Sequence, residues 1–230
     1  MRETLGKLGK RRSLLARLLA VASPGRPKAA RNAALTCAAS WGWPVVPGVE
    51  TRPDGSCGCS RPGCVVPGAH PSIPGLLAAT TDPRMVRWWW TQWPQAPLLM
   101  ATGGRAPCAL SLPAAAGAWA LSELDRRGVH TGPVVATPTR FLLLVAPYGL
   151  PELGELLHAR DRVPSALRFH GEGGYALLPS SPPGGGAGVR WERPPVPSQG
   201  GIALPSAADL LDVAIEAGLN TPDTGSRLAY

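Results

Sequence analysis

The apolar and polar positions of this chain fall into short blocks of two different periods. Leu5, Leu8, Leu15, Leu18 and Leu19 recur three and four residues apart across residues 3–22 with basic residues between them, which predicts a basic amphipathic helix. After the breaker SPGRPK, a second helical run extends from Ala29 to about Ser40, with Ala34, Leu35, Ala38 and Ala39 able to line one face. In TTDPRMVRWWWTQWP, Asp82 suits an N-cap and Pro83 the first helical position. There Val86, Trp89, Trp90 and Trp93 share a face, and Pro94 ends the run. Further helices are expected over 116–128, closed by Gly128, and over 151–159, opened by Pro151. A last one follows Ser206, with Asp209 completing its cap and Gly218 closing it.

Between these runs lie short apolar segments of strand length. WGWPVVPG (41–48) reads as a buried strand, and 96–104 and 107–112 read as two adjacent ones. Residues 134–149 form a strand pair around the TPTR turn, 166–179 read as strand, Gly-rich turn, strand, and VRWE is a short segment between flexible loops. This alternation predicts an α/β (α+β) fold, a mixed sheet flanked by helices, with residues 50–76 left as a Cys-rich loop. No internal repeat is visible.

Composition sharpens this in three ways. The 28 Gly and 27 Pro predict a core joined by many irregular connections. The net charge of +8 is local: residues 1–31 carry nine Lys/Arg against Glu3 alone, and the rest of the chain balances. A basic segment attracts nucleic acid or anionic lipid, so Lys10, Arg11 and Arg12 are candidate nucleic-acid contacts; a helix docked on the body is the alternative. No run of 18 apolar residues predicts a membrane span. The N-terminus imitates a secretory signal, but Arg17 interrupts its apolar part, so the expected location is the cytoplasm. The tryptophans of 88–93 could form a base-stacking platform, although aromatics at helical spacing point to core packing.

The third feature is CGCSRPGCVVPGAH. Cys57, Cys59, Cys64 and His70 supply three thiols and an imidazole, a complete tetrahedral set for structural zinc. Four ligands leave no position for water or substrate; the alternative is four unliganded side chains on a loop. Cys37 and Cys108 lie in apolar runs and are expected in the core.

The blocks AALTCAASWGWPVVPG, CGCSRPGCVVPGAHP, ATTDPRMVRWWWTQWP and LLMATGG, followed by VVATPTRFLLLVAP and RFHGEGGYALLPSS, together resemble the N-terminal domain of bifunctional DNA primase/polymerases, in the archaeo-eukaryotic primase superfamily. The resemblance spans about residues 32–193, and implies a basic segment at 1–31 and a Pro/Gly loop and helix over 194–230 as appendages. It also implies nucleotidyl transfer on divalent metal held by two aspartates one residue apart and a third acid on a later strand. In this chain those positions are Ser111, Pro113 and Arg168, and the histidine of the nucleotide-binding block falls at Phe141. The resemblance thus implies a degenerate catalytic site without Mg²⁺ or Mn²⁺. Arg140, His170 and Glu172 remain candidates for nucleotide or nucleic-acid contact, and Glu172 is the one carboxylate placed to contribute to a metal site. The expected role is a catalytically inactive module binding DNA, another polyanion, or a replication or regulatory protein. The alternatives are an active enzyme with atypical ligands and a pure protein-interaction module.

Overall fold

A computed structural model of the chain describes residues 26–180 and 188–221. The expected helix over 3–22, and with it Lys10, Arg11 and Arg12, lies outside the described residues. Helix α1 (Arg26–Leu35) continues into a π-helical turn, Thr36–Ser40, and buries Ala30, Ala34, Cys37 and Ala38. Helix α2 (Pro83–Gln92) packs against α1 and is capped by Asp82, whose carboxylate accepts the Arg84 N–H. Helices α3 (Ala114–Arg126), α4 (Leu150–His158) and α5 (Ala207–Asn220) follow. The Ser206–Asp209 capping box of α5 forms as expected. Gly218 does not close α5, which runs on to Asn220. It is instead a close-approach site: a Cβ there would lie 2.6 Å from Pro164 Cγ.

The strands make two sheets, all of whose pairings are antiparallel. The larger holds β6 (Arg168–His170), β3 (Cys108–Pro113), β5 (Arg140–Val145), β4 (Val134–Ala136) and β8 (Arg190–Arg193), in that order. The smaller holds β1 (Val45–Pro47), β2 (Leu98–Ala101) and β7 (Tyr175–Leu178). A separate ribbon, β9 (Pro197–Ser198) with β10 (Gly201–Ile202), has no counterpart in the sequence pattern. The mixed α/β architecture is as expected, but two local pairings are not. β2 and β3 follow each other without pairing, and so do β6 and β7; in each case the turn carries the chain from one sheet to the other.

That crossing explains the core. Every residue of β3 is buried, because both faces of the large sheet are covered. On one face Cys108, Leu110, Leu112, Leu143 and Val145 meet Ala120 and Leu124 of α3 and Leu210 and Leu211 of α5. On the other, Ala109, Val135, Leu142 and Leu144 meet Leu98, Met100, Ala176 and Leu178 of the small sheet, with Trp89 and Trp90 of α2 and Trp43 closing the layer. Helix α5 thus belongs to the central core, and α1 crosses the 31/32 boundary expected from the sequence. Among the described residues, no helix is long and apolar enough to cross a membrane.

Candidate functional site

Two places gather chemically active side chains: the Cys-rich loop and the face of β3 that looks toward the small sheet. The loop is pinned at both ends. Thr51 bridges Cys57, Gly48 bridges Pro71, the Val49 N–H donates to the His70 carbonyl, and the Gly58 N–H donates to the Glu50 carbonyl. These bonds require close backbone passage: a Cβ at Gly58 would sit 2.6 Å from the Glu50 oxygen. Gly68 adopts φ +75°, a left-handed conformation that costs a side-chain-bearing residue steric energy. The loop starts beside the small sheet: Gly48, directly after β1, sits against the completely buried Leu99 of β2.

Within the loop, the donor atoms of Cys57, Cys59, Cys64 and His70 all lie within 4.8 Å of one another. His70 Nε2 stands 3.3 Å from Cys57 Sγ and 3.5 Å from Cys64 Sγ. Its Nδ1 lies 2.9 Å from the Pro71 carbonyl, which can only accept, so the proton sits on Nδ1 and the Nε2 lone pair faces the sulfurs. This is the tautomer a metal ligand needs. Burial opposes ionisation of Cys57, but N–H groups of Cys59 and Gly68 and the His70 ring outweigh it and bring the thiol down to about 6. The four residues could therefore hold one metal ion through sulfur and nitrogen donors.

The β3 face is built by register. In an antiparallel pair, residues directly opposite share a face. Ser111 lies opposite Leu142 on one side and Arg168 on the other, and Ala109 lies opposite His170. Pro113, at the end of the strand, is opposite Arg140. The Arg140 guanidinium reaches back along this face: Nε donates to Ser111 Oγ at 2.7 Å, and Nη2 to the carbonyls of Ser111 and Ala166, each at 2.7 Å. Burial, reinforced by the charges of Arg140 and Arg168, holds His170 down at about 4, so it is a neutral imidazole near pH 7.

The model of the N-terminal domain of bifunctional DNA primase/polymerase matches residues 34–207. The chain belongs to this family. No curated protein and no solved structure matches it. Within this primase/polymerase domain, Ser111, Pro113, Arg168, Arg140 and His170 come together on one sheet face. Phe141 does not join them. It lies opposite Leu112 on the helix-covered face, so close to α3 that a Cβ on Gly117 would fall 2.4 Å from Phe141 Cβ. Glu172 is also apart: it is exposed in the turn beyond β6, its backbone against Gly103. Glu123 and Asp125 of α3 are taken by Arg126, Arg127 and Arg193.

Several participants carried no local sequence signal. The Ala166 carbonyl anchors Arg140 from outside any strand. Buried Thr102 donates to the Gly171 carbonyl at 2.6 Å and fixes the turn between the sheets. The order Ser-Leu-Pro on β3 was visible in the sequence. Nothing in the local pattern hinted that an arginine 29 residues away would bond to the serine.

Proposed function

We propose that this primase/polymerase domain has lost nucleotidyl transfer and serves as a nucleic-acid-binding module. The observation that carries the reading is the Arg140 guanidinium lying on Ser111, the first position at which the resemblance places a metal-binding aspartate. Two-metal phosphoryl transfer needs oxygen anions converging on Mg²⁺ or Mn²⁺. This face offers a hydroxyl, a proline and two arginines in their place. A divalent cation about 4 Å from one guanidinium is opposed by on the order of 8 kcal/mol at an effective dielectric of 20. A single exposed Glu172 in the next turn does not offset that.

The same cations that exclude metals favour phosphate oxygens, which supports retention of a polyanion-binding role. The basic segment over 1–31 adds positive charge, and the family itself is one of nucleic-acid enzymes. The Cys-rich loop takes a structural zinc in this reading, since three sulfurs and an imidazole close its coordination sphere. In this reading residues 32–193 carry the primase/polymerase-like function, residues 1–31 supply a basic segment, residues 194–230 add α5 to the same core, and the setting is cytoplasmic. Primer extension and de novo synthesis with Mg²⁺ or Mn²⁺ test the reading. It expects no product above a no-enzyme control, and template-dependent synthesis would overturn it.

A further inference from the structure

The three tryptophans of α2 and Trp93 at its C-cap divide their rings between two jobs. Trp89 and Trp90 are buried in the core between the sheets, and the Trp90 N–H donates to the Ala96 carbonyl. Trp88 turns the other way and stands 53 % exposed. Its ring meets Trp93 edge-on, with centroids 6.0 Å apart and planes at 84°. On the α2 surface, exposed Arg84 lies one turn before Trp88, at i−4, and exposed Arg87 immediately precedes it in the chain. No carboxylate bridges either arginine among the described residues. The only acid at that helix end, Asp82, spends one oxygen on the Arg84 N–H.

Trp93 then leads into a groove at the foot of the Cys-rich loop, walled by Arg52, Gly58, Cys59 and Ile73. The one carboxylate there, Glu50, accepts the Gln95 N–H at 2.9 Å and so ties the groove to the end of α2. The strip from Arg84 through Trp88 and Trp93 to Arg52 thus sets two neighbouring rings between guanidinium groups. Such a surface suits one kind of polyanion. Unstacked bases have faces for the rings, and a backbone has phosphates for the arginines. A duplex keeps its bases stacked on each other and offers the rings nothing.

Resting on the nucleic-acid reading above, we infer that a single-stranded nucleic acid binds along this strip, stacking a base on Trp88 beside Trp93, with Arg84 and Arg87 on the adjacent phosphates. The test is fluorescence anisotropy of the full chain with a labelled oligothymidylate of about 20 nucleotides, in a salt series from about 50 to 200 mM. Trp88→Ala is expected to weaken binding about five- to tenfold with an unchanged salt slope, and Trp88→Phe to restore most of it. Arg84→Gln with Arg87→Gln should lower the salt slope by about 1.4. Circular dichroism checks that each exposed-site variant is folded. Wild-type binding that all these variants reproduce would overturn this surface while leaving the nucleic-acid reading intact. Absence of any binding by the wild-type chain would overturn both. Variants that change self-association in sedimentation, and not oligothymidylate affinity, would assign the strip to a protein contact and likewise contradict the inference.

Discussion

The Cys-rich loop and the β3 face are both places where a primase/polymerase domain could hold metal, and they differ in how their donors are assembled. The loop gathers its four donors within fourteen residues, so ligand spacing and tight glycine turns suffice. The β3 face gathers its groups from three strands, and only sheet register brings them together. They differ also in what depends on them. The loop starts against buried Leu99 at Gly48, and its own backbone is held by bonds to Gly48, Val49, Glu50 and Thr51. The β3 face lies in a structure already held by two apolar layers, and a hydroxyl bonded to arginine satisfies its polar groups as well as a metal would. On the proposed reading, a catalytic metal centre is dispensable to folding and a structural one in the loop is not.

This contrast can be broken most readily at the loop. Replacing Cys57 and Cys64 together with serine should abolish zinc binding by metal analysis and cost on the order of 2–5 kcal/mol in urea unfolding. Protease cleavage should then appear within residues 50–71. Less than about half an equivalent of zinc in gently purified wild-type protein would refute the metal reading itself. At the β3 face, Arg140→Met should cost about 2–3 kcal/mol, because it strands the Ser111 and Ala166 acceptors without their donor. Gly117→Ala should destabilise by about 1–2 kcal/mol although alanine is the better helix former, since its methyl group meets Phe141. A neutral or stabilising result would show that Phe141 does not occupy that face.

A smaller effect concerns pH. His170 titrates at about 4 in the fold, below the ordinary histidine value of about 6.5. The unfolded chain therefore binds the proton first, and stability should fall as pH drops from about 6.5 towards 4. His170→Asn should flatten that part of the profile; an unchanged slope would mean the imidazole is not held neutral. Smallest of all, Glu123→Gln should shift the urea midpoint only slightly. The Arg126 and Arg127 partners hold its carboxyl down at about 2, but the pairs lie at the surface.

Much of this was legible in the sequence, and the losses have physical reasons. Helix limits followed from caps such as Asp82 and Ser206, because capping is a local interaction. The loop was legible because its donors are neighbours in the chain. The division into two sheets was not: CALSLP is buried on both faces and shows no alternation from which a partner could be chosen. For the same reason Phe141 and Arg140 could not be assigned to faces by pattern. Their faces are set by opposition to Leu112 and Pro113 across a strand pair. The exposed Trp88 was hidden among three ring neighbours that do pack inside or against the core.

The central claim is that cations occupy the β3 face and exclude catalytic metal. Electron paramagnetic resonance of free Mn²⁺, titrated with the chain after zinc supplementation, tests it most directly. The account predicts a free-ion signal that stoichiometric protein leaves undiminished, with or without nucleoside triphosphate. Stoichiometric loss of that signal, reversed by substitutions on the Ser111 face, would contradict it.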